Sequence, residues 1–428
     1  MHHRKAFTLI ELLVVIAIIA VIAIVVVVTL SPGQLIQQSR DSNRLSDLAN
    51  IQTAVNLFLT DQPGGNIGSS SVVYVSIPDP VATSTAGDQC QGLGLSSLPS
   101  GYSYHCAASS TIRNANGQGW IPVNLASISV GSPLSALPQD PTNSSSSHLY
   151  YTYTTNGNQY EVTAALESQK YKLGGSNDVV GTDGSSLSTV YAKGTNLSLE
   201  PLDYGDSALV GYWTFDEGTL STAYDYSGNN ATGSWAGAQA GMSGYYSPGK
   251  IGAWAGYFNG STSTTDGVDI TNPANRILPQ SNQSFSIALW VNPNNLTGLT
   301  GNREAIMTNE TYLTSGFRMA IGNCNTACVF QFWSSESGGS FNDGGGPTAT
   351  INTWYQVVAT YNGSLASLYV NGSIAATSTG AYIGNTNTLG LANYNFGYSS
   401  FAGLLDDVRI YNRALSTAEI QAMYNGGK

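Results

Sequence analysis

The hydrophobic positions near the N-terminus form one continuous run. Residues 12–28 read LLVVIAIIAVIAIVVVV, and the chain is largely apolar over residues 7–30. At 1.5 Å per residue, a helix of this length can cross a hydrocarbon core about 30 Å thick. Arg4 and Lys5 precede the run, so the N-terminal end should stay in the cytoplasm. The pattern predicts a transmembrane helix over residues 7–30.

The next apolar positions have the spacing of an amphipathic helix. They recur every three or four residues, at Leu45, Leu48, Ile51, Val55, Phe58 and Leu59. Arg40, Arg44 and Asp47 fall on the opposite, polar face. Ser31-Pro32-Gly33 interrupts the pattern, because proline removes a helical hydrogen bond and glycine loosens the backbone. The sequence predicts one long helix over residues 7–60 with a kink or melted turn at that point.

The middle of the chain alternates between loops and a hairpin signal. The segments LYYTYTT and QYEVTAAL flank Asn156-Gly157-Asn158, which is typical of a β-hairpin. The predictions are a small antiparallel-sheet head over residues 61–173 and, because residues 174–207 are rich in Gly and Ser and lack periodicity, a linker there.

Residues 208–428 contain many short β-branched or aromatic runs. Asn362-Gly363 and Asn371-Gly372 separate three of them and predict a three-stranded meander. One capping-box pattern, Ser416 to Glu419, opens a short C-terminal helix. The fold class is therefore multidomain, an α+β part followed by an all-β two-sheet sandwich.

Charge and cysteine usage favour an exported protein. Only 10% of the 428 residues are charged, against about 25% in an ordinary soluble domain. The 15 basic and 26 acidic residues leave a net charge of −11, which excludes a nucleic-acid partner. The four cysteines form two local pairs, Cys90/Cys106 and Cys324/Cys328, which are read as disulfides in an exported chain, with free thiols as the alternative.

Glu11 decides between interpretations of the apolar run. A cleaved secretory signal would end in a small-residue site and then change character. A plain signal anchor would have no reason for a carboxylate near its cytoplasmic end, and a buried core helix would not be so uniformly apolar. An ionisable group within a membrane is costly and therefore needs a partner. An α-amino group created on a neighbouring subunit by cleavage before Phe7 would be such a partner.

The segment KAFTLIELL, residues 5–13, resembles the processing site of type IV pilins and of the pseudopilins of type II secretion. The resemblance implies that a prepilin peptidase removes residues 1–6 by cutting between Ala6 and Phe7, and that Phe7 is then N-methylated. Ala6 stands where glycine is commoner in the family. The amphipathic helix and the hairpin region also resemble those of pseudopilins, which implies a pilin globular head.

The C-terminal half resembles the laminin-G-like group of concanavalin A-like lectin/glucanase sandwiches. The matching segments include GYWTFDEG (211–218), DYSGNNATG (225–233), SFSIALWV (284–291) and GLLDDVRIYNRALSTAEI (403–420). The resemblance implies that the first and last strands pair. The fold hosts lectins, glycosidases and adhesion modules, so it does not decide the function.

Glycoside hydrolysis is not expected from this sequence. Glycosidases of this fold place carboxylates at alternate positions of one strand, about 5 Å apart. Asp216-Glu217 and Asp406-Asp407 are adjacent pairs, and adjacent side chains on a strand point to opposite faces. The prediction is that the chain is not an enzyme.

Calcium is the one cofactor that the sequence suggests. Asp216, Asp225, Asn229, Asp406 and Asp407 lie in loops and strand ends that could converge at one edge of the sandwich. The competing interpretation gives these residues ordinary turn-capping roles.

Loop aromatics supply candidate ligand contacts. The residues in Gly-, Asn- and Ser-rich segments that could stack on sugar rings are Trp235, Trp254, Trp333, Tyr394 and Tyr398. Burial under loops is the alternative for each of them. Trp213, Trp290 and Trp354 lie in apolar strands and are predicted to be core residues.

The order of these parts predicts a pilus-like filament subunit that displays an adhesive or carbohydrate-binding domain. Its expected partners are copies of itself or pilin co-subunits, the prepilin peptidase, the inner membrane before assembly, and a glycan or surface ligand. The expected location is the cytoplasmic membrane as a precursor and the cell surface after assembly. The alternative is a minor pseudopilin of a type II secretion-like export machine.

Overall fold

The computed structural model describes residues 9–30, 32–79, 90, 92–99, 101–219, 221–236, 245–260, 267–271, 277–296, 304–311, 314–322, 324, 327–334, 342–392 and 399–427. The helices are α1 (Leu9–Leu30), α2 (Pro32–Asp61) and α3 (Thr417–Gly426), with a short 3-10 helix at Leu125–Ser127. The predicted interruption at Ser31-Pro32-Gly33 coincides with the boundary between α1 and α2.

Within the described residues, no helix combines the length and the apolar character needed to cross a membrane. The span predicted over residues 7–30 lies partly outside the residues that the structure describes.

A five-stranded sheet packs against α2 and forms the sheet domain, residues 61–207. Its strands are β1 (Val72–Asp79), β2 (Ser103–Ala108), β3 (Tyr151–Thr155), β4 (Tyr160–Ala165) and β5 (Val190–Gly194). The order is β2-β1-β3-β4-β5, and β2 runs parallel to β1 while the other neighbours are antiparallel. The predicted hairpin is therefore β3–β4, and the sheet is mixed, whereas the sequence predicted an antiparallel one.

The predicted apolar face of α2 packs on one side of this sheet. Leu48, Ile51, Val55 and Phe58 are buried there together with aromatic residues of β3 and β4. Leu45 and Leu59 are partly buried beside them. The amphipathic pattern thus correctly predicted which face of the helix joins the core.

The linker predicted over residues 174–207 is wrong. Residues 190–194 form β5, which pairs with β4 from Glu161↔Gly194 to Ala165↔Val190. Leu202 and Tyr204 are buried on the face of the sheet opposite α2. The segment has little periodicity because it supplies one short strand and a few buried side chains, and tertiary contacts fix the rest.

The sandwich, residues 208–428, consists of two sheets. Its strands are β6 (Leu209–Trp213), β7 (Thr222–Ala223), β8 (Gly233–Ala236), β9 (Tyr246–Pro248), β10 (Trp254–Asn259), β11 (Gly267–Ile270), β12 (Phe285–Pro293), β13 (Glu304–Thr308), β14 (Phe317–Gly322), β15 (Val329–Ser334), β16 (Asn342–Gly345), β17 (Tyr355–Tyr361), β18 (Leu365–Val370), β19 (Ser373–Thr379), β20 (Leu389–Leu391), β21 (Ser399–Ser400) and β22 (Ala402–Tyr411).

One sheet of the sandwich runs β19-β18-β17-β12-β22-β10-β9, and β6 also pairs with β22. The other sheet runs β16-β15-β14-β13-β20-β11-β8-β7, with β21 beside β13. The predicted meander is β17-β18-β19, and the predicted pairing of first and last strands is β6–β22. A large apolar core fills the space between the sheets, and α3 covers the outer face of the first sheet.

Candidate functional site

The predicted processing and assembly residues lie at the start of the chain. Ala6 and Phe7 are outside the described residues. Glu11 is in the first turn of α1, and its side chain is exposed in the single chain, as are its apolar neighbours along the helix.

A buried ion cluster attaches α2 to the sheet domain. Arg44 Nε lies 2.6 Å from Asp140 Oδ2, while Arg44 Nη1 lies 2.8 Å from Asp41 Oδ1 and 2.7 Å from Glu167 Oε2. The Arg44 side chain is 0% exposed. Its assignment to the face opposite the apolar positions did not predict this burial, which is possible because three carboxylates compensate its charge in the interior. The Asp41/Arg44 spacing of three residues was the available signal.

Glu167 also holds Arg40, at the edge of the same cluster. Arg40 Nε lies 2.6 Å from Glu167 Oε2, and the Arg40 side chain is 32% exposed. Burial would raise the pKa of Glu167, but hydrogen bonds from Arg40 and Arg44 outweigh it and lower that pKa below its ordinary value.

Both predicted cysteine pairs are disulfides. The Cα atoms of Cys90 and Cys106 are 5.4 Å apart, and those of Cys324 and Cys328 are 4.1 Å apart. Cys106 belongs to β2, so the first disulfide ties the preceding loop to the edge of the sheet domain. The free-thiol alternative is excluded, since no cysteine is unpaired.

Two of the predicted calcium ligands hold a backbone turn. Asp216 Oδ1 accepts hydrogen bonds from the N–H groups of Ala253 (2.7 Å) and Trp254 (2.9 Å). Asp406 Oδ2 accepts from Lys250 (2.7 Å) and Ile251 (2.9 Å). Burial raises the pKa of both carboxyls. The two side chains thus fix the turn that leads into β10.

The other predicted calcium ligands have separate local partners. Asp225 accepts from the N–H groups of Tyr212 and Ala231, at 3.0 and 2.9 Å, and Asn229 donates to the carbonyl oxygen of Val210. Asp407 forms an ion pair with Arg409 at 2.8 Å. Across the described part of the chain, no three His, Cys, Asp or Glu side chains form a group that could hold a metal ion. The backbone contacts of Asp216, Asp225, Asn229 and Asp406 match the turn-capping interpretation, whereas Asp407 is used in an ion pair. Calcium binding stays a prediction.

The adjacent acidic pair Asp216-Glu217 divides between two neighbours. Asp216 binds the turn before β10, whereas Glu217 Oε1 accepts a hydrogen bond from Tyr224 N at 2.8 Å. Burial raises the pKa of Glu217 to about 7. The two carboxyls therefore accept hydrogen bonds from different stretches of backbone.

The predicted ligand aromatics differ in exposure to solvent, and two of them are buried. Trp235 is 5% exposed and stacks on Tyr245 in the sandwich core, with a ring-centroid distance of 4.8 Å. Trp333 is 6% exposed and lies under Arg318, whose guanidinium carbon is 4.5 Å from the ring. The prediction that these two rings could stack on a ligand is therefore wrong, because both are buried. Tyr394 and Tyr398 lie outside the described residues.

Among the predicted ligand aromatics that the structure describes, Trp254 is the accessible one. Its side chain is 39% exposed at the start of β10, and Asp216 holds its backbone N–H. A Cβ added to Gly218 would lie 2.8 Å from Trp254 Nε1, so the ring packs closely against that glycine. Of the predicted core residues, Trp213 is 0% and Trp290 3% exposed, while Trp354 is half-buried.

Arg318 and Glu310 were missed by the sequence reasoning. Arg318 Nη1 lies 3.3 Å from Glu310 Oε2, on the face of β14 that points away from the core. Trp333 is opposite Arg318 on β15, so an aromatic ring, a cation and a carboxylate lie together there. The polar residue between Phe317 and Met319 was the available signal.

Two family models match the chain. A model of the prokaryotic N-terminal methylation motif matches residues 1–27, and a model of the concanavalin A-like lectin/glucanases superfamily, the Laminin_G_3 group, matches residues 262–421. The chain therefore combines a prokaryotic methylation motif with a concanavalin A-like domain, as both resemblances in the sequence predicted.

Comparison with solved structures found similar chains, whereas a search of curated proteins found no match. Domain 4 of an extracellular arabinanase from Geobacillus stearothermophilus, solved with arabinotriose, is 22% identical. That alignment covers 50% of this chain and 98% of the domain, with a TM-score of 0.38. The binding domain of Paraclostridial Mosquitocidal Protein 1 is 17% identical, with coverage of 51% and 52% and a TM-score of 0.40. The binding domain of botulinum neurotoxin serotype D is 16% identical, with coverage of 51% and 51% and a TM-score of 0.40.

Proposed function

We propose that this protein is a subunit of a type IV pilus-like extracellular filament and that its sandwich is an adhesive or carbohydrate-binding domain. One observation carries the proposal: the methylation motif at residues 1–27 and the lectin-like domain at residues 262–421 belong to a single chain. The motif supports export through a processed membrane precursor, and the domain supports recognition of a surface ligand.

Maturation follows from the motif. The prepilin peptidase cuts between Ala6 and Phe7 on the cytoplasmic side of the membrane, and the new Phe7 amine is methylated. The helix over residues 7–30 then passes from the membrane into the filament, where Glu11 pairs with the Phe7 amine of the adjacent subunit. This pairing places the carboxylate beside a positive charge and so removes the cost of burying it.

The test of the filament role is the composition of sheared surface filaments. Filaments removed from intact cells are purified and probed for this chain by mass spectrometry and with an antibody against the sandwich. The proposal expects the processed chain, beginning at Phe7, in the filament fraction. Its confinement to the membrane fraction would contradict the proposal and favour the alternative, a minor pseudopilin of a type II secretion-like machine.

Trp254 is the best-supported ligand contact on the sandwich. Sugar rings bind to aromatic faces through their C–H groups, which needs an accessible and firmly held ring. Trp254 is 39% exposed, and the bonds of Asp216 to Ala253 N and Trp254 N hold its backbone. Trp333, at 6% exposure, would need its surroundings to open before a ligand could reach it.

A glycan array probed with the full chain tests this assignment. We expect Trp254→Ala to weaken binding to the selected glycan at least about tenfold, the equivalent of about 1.4 kcal/mol. Ile374→Ala is the matched control, since Ile374 is a large apolar side chain of the same domain with 58% exposure. Unchanged affinity in a correctly folded Trp254→Ala protein would refute the assignment.

We further propose that the sandwich binds glycans without cleaving them. One oxygen of Asp216 and one of Glu217 already accept hydrogen bonds from backbone N–H groups, which supports this proposal. Incubation of the bound glycan with the protein should release no new reducing ends, and release that depends on either carboxyl would overturn the proposal.

A further inference from the structure

The sheet domain and the sandwich meet in a polar contact around Arg409, which we call the joint. Arg409 is in β22 and is 0% exposed. Its Nη2 lies 2.9 Å from the carbonyl oxygen of Ser186 in the sheet domain and 2.8 Å from Asp407 Oδ1 in the sandwich. The guanidinium carbon is 4.3 Å from the ring centroid of Tyr212. Separation of the two domains would leave the Ser186 carbonyl and part of the guanidinium without these partners.

Further side chains continue the joint on both sides of Arg409. Ser188 Oγ lies 3.3 Å from Tyr411 Oη, and Arg413 Nη2 lies 2.8 Å from Asp206 Oδ2. Asp203 N donates a hydrogen bond to the carbonyl oxygen of Tyr226 at 3.3 Å. The joint therefore consists of several bonds spread along the chain from Ser186 to Asp206.

Two glycines allow the backbones of the domains to approach closely. A Cβ on Gly174 would lie 2.7 Å from the backbone of Ala418 and Glu419, at the start of α3. A Cβ on Gly228, in the sandwich, would lie 2.5 Å from Ser96 Cβ in the sheet domain. The domains thus pack closely at two separate places. Contact at one place restricts rotation of the domains about the other.

The segment that links the domains is itself fixed to the sheet domain. Glu161 accepts hydrogen bonds from the N–H groups of Leu199 and Glu200, both at 2.8 Å. Tyr204 stacks on Tyr150 with a ring-centroid distance of 4.6 Å. A chain held in this way cannot act as a flexible tether.

A cavity of about 330 Å³ lies between the domains, and the charged residues Lys172, Asp206, Arg413 and Glu419 line it. Arg413 lines it and binds both Asp206 and Glu419, at 2.8 and 2.7 Å. The cavity is therefore interpreted as part of the joint.

We propose that the sheet domain and the sandwich form one rigid body, in which the joint holds the sandwich at a fixed orientation relative to α2. A pull on a bound surface ligand is then transmitted through the joint to the helix. The orientation does not depend on what the sandwich binds, so this inference can fail or succeed independently of the proposed function.

Pulsed electron paramagnetic resonance on the detergent-solubilised full chain measures the orientation. Spin labels are attached at Val130→Cys in the sheet domain and Ile374→Cys in the sandwich, where the native side chains are 83% and 58% exposed. The native cysteines do not interfere, because all of them are in disulfides. We expect a single narrow distance distribution. A broad distribution, as a tether would give, overturns the proposal.

A pair of glycine variants tests whether the joint causes the narrow distribution. Gly174→Ala should broaden or shift it by forcing α3 away, whereas Gly184→Ala should leave it unchanged. Both glycines have positive φ, +76° and +93°, so the backbone strain is comparable. At Gly184, however, the nearest atom to an added Cβ is Leu197 Cδ1 at 3.8 Å.

The second perturbation is Arg413→Gln, which breaks the ion pair with Asp206 without adding bulk. This variant replaces Gly174→Ala as the perturbation of the joint if Gly174→Ala does not fold. We expect it to widen the distance distribution relative to Gly184→Ala. Identical distributions in the perturbed and control proteins would show that these contacts do not set the orientation.

Discussion

At the residue scale, Arg44 illustrates why the sequence misplaced a charge. The helical pattern assigns it to the polar face of α2, yet its partners Asp140 and Glu167 are 96 and 123 residues away in the chain. No local pattern reveals that a distant loop and the end of a hairpin will cover this face. The neighbouring apolar positions needed no such information, because burial is their default.

Removal of Arg44 should destabilise the sheet domain severely. Arg44→Met leaves Asp41 and Asp140 buried beside each other without their cation, so we expect a loss of about 3–5 kcal/mol. The free energy of unfolding is obtained from the hydrogen exchange of Tyr160–Ala165, a strand of this core, as a function of urea concentration. Arg40→Met is the control and should cost at most about 1 kcal/mol, because Arg40 is 32% exposed. Equal losses in both variants would contradict the role of the buried cluster.

Two buried carboxyls make the sheet domain sensitive to pH. Burial raises the pKa of Glu161 to about 7 and that of Glu200 to about 8. Thr152 donates a hydrogen bond to Glu200, and the coulombic effect of Glu161 raises the pKa of Glu200 further. The folded protein therefore keeps protons that the unfolded chain releases above about pH 4.5. Their stabilising contribution is complete below that pH and is lost as the pH rises through 7 to 8.

Glu200→Gln should reduce this pH dependence. The amide side chain is uncharged at every pH. Between pH 6 and 8 the free energy of unfolding of the variant should therefore fall less steeply with pH than that of the wild type, by up to about 1.4 kcal/mol per pH unit. Urea unfolding at several pH values gives the slope. Glu167→Gln is a contrasting control, since the pKa of Glu167 is lowered and its effect should fall on the acid side. An unaltered slope in Glu200→Gln would disprove the linkage.

At the scale of elements, strong local sequence signals were sufficient to predict turns and helix starts. Asn371 and Gly372 have φ values of 52° and 74°, as the tight turn of the predicted meander requires. The Ser416/Glu419 capping box begins α3 as predicted. β5 was missed, because VYAKG is short and its pairing with β4 is decided by tertiary contacts.

Hydrogen exchange can verify that β5 is part of the sheet. The amides of Val190–Gly194 that pair with β4 should exchange slowly, at rates comparable with those of Tyr160–Ala165, because both strands belong to the same ladder. Mass spectrometry of peptic fragments measures both segments in one experiment. Exchange of β5 at the rate of an unstructured peptide would instead support the linker that the sequence predicted.

At the scale of the whole molecule, composition and motifs predicted the order of parts but not their contacts. The sequence placed Asp216 and Asp406 at one edge of the sandwich, and both do bind the same turn, yet through backbone N–H groups. A carboxylate satisfies its hydrogen-bonding needs with whichever donors the fold brings near it. The joint around Arg409 was hidden for the same reason, since a basic residue in a strand does not reveal a partner more than 200 residues away.

Glu11 is a single residue whose expected effect is on assembly of the whole filament. In the mature chain it would be the fifth residue, surrounded by apolar helices in a filament, where an unpaired carboxylate is costly. The exposed apolar surface of α1 in the single chain, from Leu9 to Ile19, is consistent with burial upon assembly. Its pairing with the Phe7 amine of a neighbour would neutralise both charges and set the axial register between subunits.

Glu11→Val should therefore block assembly while leaving the earlier steps intact. We expect normal membrane insertion and Ala6–Phe7 cleavage, because the variant keeps the apolar run and the processing site. The joint and the sandwich should also be unaffected, since Glu11 is in α1 and the joint connects residues beyond α2. Sheared filaments should contain far less of the variant than of the wild-type chain. Ala6→Asp is the matched control, which should stop cleavage and keep the precursor in the membrane. Filaments that contain Glu11→Val at the wild-type level would show that this carboxylate does not set the register.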